Sequence, residues 1–210
     1  MRVLSLNVVY ADIPDVGGSV GITAIDKRPV EGPRHVTTDG IAGDHRCDME
    51  NHGHTDQAVY AYAREDYDRW SAQLGRELRD GEFGENLTTS GVDWNAIEVG
   101  TVVRIGSAVL QVSCPRIPCS TFGRWVQQEQ WVKRFNDAGR WNTYRRVVQD
   151  GELGAGDDIA IEARPGHGVT VTDVARVYTG NRDHDRLVRV EACDDVDEAT
   201  RAKARAALDS

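Results

Sequence analysis

Short apolar or alternating segments, separated by glycine, aspartate and asparagine, constrain the fold of this chain more than any other feature. Each segment has the length and the β-branched content of a strand, and helices do not alternate regularly with them, which disfavours a doubly wound parallel sheet. We therefore predict a mainly β fold whose sheet closes, fully or partly, into a barrel with peripheral helices. The predicted strands lie in RVLSLNVV, VGITAI, QAVYAYA, TVVRIG, AVLQVSC, YRRVVQDG and DIAIEA.

Two segments within this body have helical spacing instead. REDYDRWSAQLG predicts a helix that ends at Gly75, and GRWVQQEQWVKRFNDAG predicts a helix that ends at Gly139. The second helix would bring several apolar side chains to one face, which we expect to pack on the sheet. These side chains are Trp125, Val126, Trp131, Val132 and Phe135.

The pattern changes after Arg164-Pro165-Gly166, where three short helical segments follow. They are TVTDVARVYTG, DHDRLVRVEA and VDEATRAKARAALDS, and either Thr172 or Asp173 is expected to cap the first of them. A segment this small cannot hold a core alone, so we expect it to pack on the body or on another subunit. The predicted division is a β-barrel domain over residues 1–164 and a C-terminal three-helix segment over residues 165–210.

The composition argues against two broad classes of partner. With 25 Lys and Arg against 34 Asp and Glu the net charge is -9, whereas nucleic-acid binding relies on many cations that displace phosphate counterions. No apolar stretch approaches the roughly 18 residues of a membrane helix, and the opening residues resemble a first strand more than a signal peptide. We therefore expect a cytoplasmic protein with no nucleic-acid and no membrane partner, and with reduced thiols.

Cys119 has the sequence context of a functional thiol. In QVSCPRIPCSTFG an apolar strand leads into Pro115 and Pro118, which stiffen the backbone directly before Cys119. Arg116 lies close enough in sequence to favour the thiolate, the form that acts as a nucleophile and as a soft-metal ligand. The alternative is an inert, buried thiol, which is the commoner state of a free cysteine and the expected one for Cys114.

Positive residues are concentrated around and after Cys119. Between residues 116 and 148 there are seven cations and only two acids, in a chain that is acidic as a whole. Because arginine binds phosphate in a bidentate manner, these cations indicate an anionic ligand near the thiol; for Lys133 and Arg134, solvent-exposed helix charges are the favoured alternative. The seven are Arg116, Arg124, Lys133, Arg134, Arg140, Arg145 and Arg146.

A second region, between residues 40 and 62, contains four side chains that are able to bind a metal. They are His45, Cys47, His52 and His54. Their spacing lacks the C-x-x-C and H-E-x-x-H signatures of zinc sites, so a metal site is the less favoured interpretation. The alternative is a glycine-rich polar loop, with turns at Gly43 and Gly53, that lines a pocket.

Two further features are ambiguous from the local sequence. Gly84-Glu85-Asn86 is either an ordinary turn or a group of backbone and side-chain amides that contacts a heterocycle or an oxyanion. Lys27 is either a surface lysine or a contact for an anion.

Taken together and in order, the motifs of this chain resemble those of the MOSC domain family, named after the C-terminal domain of molybdenum cofactor sulfurase. The resemblance is greatest to its bacterial branch of 6-N-hydroxylaminopurine-resistance proteins, and it covers most of the chain, including the three-helix tail. The motifs are TAIDKRPV, GIAGDHR, HGHTDQAVYAY, FGENL, VGTVVRIGSAVLQVS, CPRIPC and VVQDGELGAGD.

The resemblance implies a MOSC-type β-barrel that binds molybdenum cofactor, also called molybdopterin, with Cys119 as the molybdenum ligand and catalytic residue. It implies reduction of N-hydroxylated bases and related compounds to amines, with the oxygen accepted at the metal. No pyridoxal phosphate is expected. The residues that match family positions at or beside the cofactor are Lys27, His52, Asp56, Gln57, Asn86 and Arg116, and Arg145 of the positive stretch is expected to bind the cofactor as well.

One position departs from the family pattern. Where the family commonly has His-Gly-Gly, this chain has His52-Gly53-His54, so a position that usually has no side chain carries an imidazole. If that position requires a positive φ or a close approach to the cofactor, His54 strains the loop or fills part of the pocket. Substrate range and cofactor retention are therefore the properties that this substitution is expected to affect.

Three functional hypotheses follow. The leading one is a molybdenum-dependent oxidoreductase that acts on small N-hydroxylated molecules and takes electrons from a separate reductase, because no flavin, iron-sulfur or nicotinamide motif is recognisable. The second is a binding module that carries the cofactor or sulfur without catalysis. The third is a simple metal site built on His45, Cys47, His52 and His54. A homodimer is among the assemblies that these hypotheses allow.

Overall fold

The computed structural model of the chain describes residues 1–180 and 182–210, without the side chains of Asn51 and His52. Its strands are β1 (Arg2–Pro14), β2 (Ile22–Pro29), β3 (Arg34–Thr37), β4 (Gly40–Ile41), β5 (Val59–Ala63), β6 (Leu87–Ser90), β7 (Val102–Ile105), β8 (Ala108–Pro115), β9 (Thr143–Gln149), β10 (Gly151–Leu153) and β11 (Ile159–Ala163). Its helices are α1 (Met49–His52), α2 (Arg64–Leu74), α3 (Ser120–Val126), α4 (Trp131–Ala138), α5 (Val171–Tyr178), α6 (His184–Glu191) and α7 (Glu198–Leu208), and a 3-10 turn spans Thr55–Gln57. None of the described helices is long and apolar enough to cross a membrane.

The mainly β prediction is confirmed. Eight strands form one sheet in the order β11-β7-β8-β9-β5-β6-β1-β2, and β10, β3 and β4 form a small second sheet. Each of the seven predicted segments contains a strand of the structure. The sequence prediction missed β3, β4, β6 and β10, which have only two to four residues each and are too short to show a periodicity.

The large sheet does not close into a barrel through a continuous ladder, which corrects the barrel prediction. β1 approaches the opposite edge of the sheet at one point, where the Val3 amide donates to the Asp157 carbonyl and the Ile159 amide to the Met1 carbonyl, both at 2.9 Å. From Asn7 onward β1 pairs with β2 instead. Because β2 extends the sheet there, β1 and β11 meet only over their first residues.

The helix predicted before Gly75 is confirmed, but the helix predicted before Gly139 is two helices. α2 ends at Gly75 with a left-handed φ of 66°. α3 and α4 are separated by a four-residue break whose ends, Gln127 and Gln130, also have left-handed φ values of 56° and 53°. Left-handed backbone cannot continue a right-handed helix, and glutamine gives no sequence signal for it.

The tail forms the three predicted helices and packs on the body. Its side chains Val171, Val174, Leu187 and Val190 belong to the same core cluster as the buried residues of β1, β7 and β8. The expected cap is corrected: Thr170 caps α5 in a capping box with Asp173, while the Thr172 hydroxyl donates to the Asn95 carbonyl at 2.8 Å. The division between residues 164 and 165 stays a prediction.

A second core cluster is mainly aromatic and lies on the other side of the sheet. α2, α3 and α4 enclose it, and most of its ring pairs meet edge to face or tilted, for instance Phe83 and Phe122 at 5.2 Å between centroids, while Trp70 and Phe135 are stacked. The strands between the two clusters therefore have one face against the first core cluster and one face against the aromatic cluster and its helices. Its members are Tyr60, Tyr62, Tyr67, Trp70, Leu78, Phe83, Phe122, Val126, Trp131, Phe135, Trp141 and Ala175.

Candidate functional site

A pocket lies where the β1–β2 hairpin, the loop after β4 and the start of α3 meet the sheet. Its wall combines small apolar residues of β2 with aromatic rings and with several polar groups of the sequence prediction. It brings together five residues that the sequence analysis assigned to cofactor binding or catalysis, although they lie up to 92 positions apart. These are Lys27, Gln57, Asn86, Arg116 and Cys119.

Cys119 occupies the position between β8 and α3. β8 ends at Pro115, the Arg116 amide donates to the Asn142 carbonyl at 3.4 Å, and α3 begins directly after Cys119. The thiol is half-buried on the pocket wall. A strand end, two prolines and a helix start therefore fix its backbone on both sides, as the sequence predicts.

Arg116 contributes a buried positive charge to the same pocket. Its side chain is 6% exposed and its guanidinium lies 3.8 Å from the centre of the Phe122 ring, a distance typical of a cation–π contact. Its Nη1 is buried and finds no acceptor among the described residues. A guanidinium held in this way has a donor available for an anion.

Tyr144 and Tyr60 are uncharged members of the pocket wall that also holds Cys119 and Arg116. Burial raises the pKa of Tyr144 to about 12, against the opposing effect of the Arg116 charge. Burial likewise raises the pKa of Tyr60 well above its usual value. Both phenols are therefore protonated near neutral pH, and the positive charge of Arg116 is not neutralised by them.

Asp44 organises one side of the pocket, and the sequence analysis did not single it out. Its carboxylate forms an ion pair with Lys27 and accepts hydrogen bonds from the Asn86 amide group at 2.8 Å and the Val9 backbone at 2.9 Å. Asn86 also accepts from the Tyr60 backbone at 3.1 Å. Lys27 and Asn86 are thus held in place by Asp44, and the charge of Lys27 is already paired.

Two of the predicted site residues whose side chains the structure describes are not brought to this pocket. Asp56 forms an ion pair with Arg146 at 3.3 Å and does not line the pocket. Arg145 points to the opposite side of β9, because alternate residues of a strand face opposite sides and Tyr144 lines the pocket. The side chain of His52 lies outside the described residues.

Arg145 packs instead on Trp94 of the first core cluster, which contains the buried residues of β1, β7 and β8 and is hereafter called the interior cluster. It is 0% exposed, lies 3.8 Å from the centre of the Trp94 ring, and none of its nitrogens has an acceptor within the part of the chain that the structure describes. Burial lowers the pKa of Arg145 to about 9. The charged form is therefore strongly disfavoured there compared with water.

Most of the other cations in the stretch after Cys119 pair with acids elsewhere, which corrects the expected basic patch; Arg124 interacts electrostatically with the Cys119 thiol, but it too is paired with an acid. Arg124 forms a bidentate pair with Asp15 at 2.6 and 2.8 Å, and Lys133 pairs with Asp137 on the surface. Arg140 lies beside Asp66 and Asp93. Local charge in the sequence was therefore a poor guide to charge in the pocket, to which Arg116 contributes its buried guanidinium.

The four cysteines differ in environment. Burial raises the pKa of Cys114 to about 12 and also raises the pKa of Cys193, which is buried in the tail. Burial, with a further contribution from the Asp12 charge, raises the pKa of Cys47. Cys47 and Cys119 line the pocket, whereas Cys114 and Cys193 do not.

The histidine-rich region contributes two of its metal-binding side chains to the pocket rim. His45 and Cys47 both line the pocket, and both contact Asp12 of β1. The group of neighbouring ligand atoms found in the described part of the chain consists of Asp12, His45 and Cys47, without His54. Sequence reasoning found the last two and missed Asp12, which lies 33 residues before His45.

Comparisons with known proteins agree with the resemblance of the motifs. The family model described as MOSC domain matches residues 48–160. The uncharacterized protein YflK of Bacillus subtilis is 33% identical over 175 residues, which cover 83% of this chain and 79% of YflK. Protein YiiM of Escherichia coli is 28% identical over 158 residues, which cover 74% of this chain and 70% of YiiM.

A protein of Gibberella moniliformis named reductase is 32% identical over 166 residues, which cover 77% of this chain but only 29% of that longer protein. Among solved structures, the crystal structure of YiiM from Geobacillus stearothermophilus has a TM-score of 0.81 at 25% identity and covers 99% of this chain and 98% of its own. The structure of Escherichia coli YiiM has a TM-score of 0.76 at 22% identity, a likeness of fold, and covers 99% of this chain and 92% of its own.

Proposed function

This chain belongs to the MOSC domain family, and from that membership we propose that its pocket binds molybdenum cofactor through Cys119 and reduces N-hydroxylated compounds to amines. One observation carries the proposal. The half-buried thiol of Cys119 and the buried guanidinium of Arg116, with a donor that lacks an acceptor among the described residues, line the same pocket.

The donor set of the pocket fits such a cofactor. A thiolate is a soft ligand and suits a molybdenum ion, while a guanidinium suits a phosphate group. The Asp44 carboxylate holds Asn86 and Lys27 at the wall, where an amide and an ammonium group can orient the polar edge of a pterin. Ala24, Ile25 and Phe83 supply apolar surface for its rings.

When bound, the cofactor supplies a two-electron redox centre that accepts oxygen. Conversion of an N-hydroxylated compound to its amine breaks the N–O bond and consumes two electrons and two protons, with release of water. A separate reductase would supply the electrons. The relative named reductase in Gibberella moniliformis supports a reductive reaction, although this chain matches only 29% of its length.

The residues of the chain have distinct roles in this proposal. Cys119 holds the metal, and Arg116 donates hydrogen bonds to the anionic part of the cofactor. Asp44 is a positioning residue, because it acts through Lys27 and Asn86. Tyr60 and Tyr144 remain neutral near neutral pH, so they place no negative charge beside the anionic part of the cofactor.

The decisive experiment compares two cysteine variants. Wild type, Cys119→Ser and Cys114→Ser are produced in a molybdenum-replete host, and molybdenum content, pterin content and reduction of 6-N-hydroxylaminopurine with an artificial electron donor are measured. We expect Cys119→Ser to lose molybdenum and activity, and Cys114→Ser to keep both, since Cys114 does not line the pocket. A Cys119→Ser protein with normal metal content and turnover would refute the proposal.

The same measurements separate the enzyme from a cofactor carrier. A carrier binds molybdenum through Cys119 but reduces no N-hydroxylated compound with any donor. The proposed enzyme reduces the compound, and the rate depends on the concentration of the donor. A cytoplasmic location and a partner reductase are part of the proposal, and identification of the reductase in the same cell compartment would support both.

A further inference from the structure

A cluster of three different ligand types lies at the rim of the pocket, apart from Cys119. His45 Nε2 is 2.7 Å and Cys47 Sγ is 3.5 Å from the same oxygen, Asp12 Oδ1. The three ligand atoms all lie within 4.8 Å of one another. Asp12 comes from β1, whereas His45 and Cys47 come from the loop after β4, so the cluster joins two segments that are distant in sequence.

Hydrogen bonds near the cluster hold the loop after β4 beside β1. Asp44, which precedes His45, accepts a hydrogen bond from the Val9 amide of β1 at 2.9 Å, and its own amide donates to the Ile41 carbonyl at 2.9 Å. Arg46 reaches the Asp39 carbonyl at 2.9 Å. His45 and Cys47, on either side of Arg46 in the sequence, therefore share a side of the loop, the side that faces Asp12.

Sulfur, nitrogen and oxygen donors together select a borderline-soft divalent cation. Zinc accepts thiolate, imidazole and carboxylate, whereas calcium and magnesium prefer oxygen alone. Zn–S and Zn–N distances of about 2.0 to 2.3 Å place the ligand atoms of a tetrahedral site roughly 3 to 4 Å apart. The present separations require only small side-chain rotations, and His45 and Asp12 are free to make them because their side chains are 51% and 42% exposed.

In the present hydrogen bonds, two potential ligands already converge on one carboxylate oxygen. The imidazole and the thiol both direct a donor at Asp12 Oδ1. A divalent cation between the three groups replaces those two donors and lets each ligand contribute a lone pair. We propose that Asp12, His45 and Cys47 bind a zinc ion at the rim of the pocket, with one coordination position left open to solvent.

This site shares the pocket with the proposed molybdenum site but uses other ligands, and the test distinguishes the two by their metals and by their ligand variants. Protein freed of metal with a chelator is titrated with zinc by calorimetry and with Co²⁺ by absorption spectroscopy. We expect one ion per chain, a thiolate-to-cobalt charge-transfer band and the strong visible bands of tetrahedral cobalt. Removal of a residue that only hydrogen-bonds a metal ligand already weakens metal binding about 10- to 100-fold in known sites, so loss of a ligand itself should weaken it at least as much.

The variants assign the ligands one by one. Cys47→Ser should abolish the charge-transfer band, and His45→Ala and Asp12→Asn should each weaken zinc binding more than about tenfold. Cys119→Ser and Cys114→Ser should keep the band and the affinity. Circular dichroism of each variant verifies the fold, which exposed positions such as Asp12 and His45 are not expected to alter.

Two results overturn the proposal. One is the absence of a thiolate band in the wild-type protein, and the other is a band that survives Cys47→Ser but disappears in Cys119→Ser. Molybdenum content separates this failure from failure of the proposed function. Asp12→Asn should load molybdenum like wild type, because Asp12 does not line the pocket, so the zinc site and the cofactor site are tested separately.

Discussion

Arg116 and Arg145 show how the two faces of one sheet use the same side chain differently. Each guanidinium lies 3.8 Å from an aromatic ring centre, Phe122 for Arg116 and Trp94 for Arg145. Arg116 lines the pocket, whereas Arg145 is 0% exposed in the interior cluster, where burial lowers its pKa to about 9. Both arginines pack on an aromatic ring and look alike in sequence. They differ in position, because Arg116 lines the pocket, where a ligand can reach it, and Arg145 lies on the other side of the sheet.

The largest effect should come from Arg145→Met, measured as the free energy of unfolding. Methionine has a similar length but no charge to desolvate, and even buried ion pairs have been replaced by apolar groups of similar volume with gains of up to roughly 1 to 4 kcal/mol. We expect a gain in that range, with unchanged molybdenum content. Urea denaturation measures it, and a clear loss of stability would show that a buried group pairs with Arg145 in solution.

Arg116→Met is the matched change on the pocket face. A hydrogen bond to a charged group contributes about 1.5 to 3 kcal/mol, so cofactor affinity should fall roughly 10- to 100-fold. Stability should change by less than about 1 kcal/mol, since the Phe122 contact is kept by the methionine side chain. Molybdenum content per chain after gel filtration measures the effect. Equal molybdenum retention in Arg116→Met and Arg145→Met would contradict the claim that only the arginine on the pocket side binds the cofactor.

The pH dependence of stability should sharpen the contrast at alkaline pH. The pKa of Arg145 is about 9 in the folded protein against 12.5 as its ordinary value, so between these values the unfolded state binds one proton more. Stability of wild type relative to Arg145→Met therefore rises with pH above about 9, by at most about 1.4 kcal/mol per pH unit. Denaturation of both proteins at pH 8, 9 and 10 tests the sign, and parallel curves would contradict it.

The smallest effect concerns the paired charge of Asp15 at the pocket. Its hydrogen bond with Arg124, aided by Thr121, lowers the pKa of Asp15 below 3.8. Its stabilising contribution is therefore present above pH 3.8 and is lost as the pH falls through the lowered pKa. Asp15→Asn should cost about 0.5 to 1 kcal/mol because Arg124 is partly exposed.

Hydrogen exchange measures the local consequence of Asp15→Asn. We expect faster exchange in residues 16–21 of the β1–β2 hairpin, which Asp15 joins to α3 through Arg124 and Thr121. The interior cluster around Arg145 should exchange as in wild type. Equal acceleration at both places would mean that the hairpin and the interior open as one unit.

The sequence was a good guide where a pattern extends over several residues. Alternation found the long strands, Gly75 marked the end of α2, and two prolines marked the presentation of Cys119. It was a poor guide where a single residue determines the backbone conformation. The break at Gln127 rests on a left-handed backbone that glutamine does not announce.

The errors in the site have similar physical causes. Asp44 and Asp12 are single acids whose partners lie far away in sequence, so no local spacing reveals them. A count of charge along the chain places Arg145 with Arg116, although the two lie on opposite sides of the sheet. The alternation of β9 already implied that the neighbours Arg145 and Arg146 point to opposite sides, and this signal was available in the sequence.

The bridge between β1 and residues 156–159 sets an order for folding during synthesis. The Gly156 amide donates a hydrogen bond to the Val3 carbonyl at 2.8 Å. β1 therefore completes its backbone hydrogen bonds only after about three quarters of the chain has left the ribosome. Until then that edge of the nascent sheet offers unpaired amides and carbonyls to other chains. We expect the protein to fold slowly for its size and to benefit from chaperones that shield this edge.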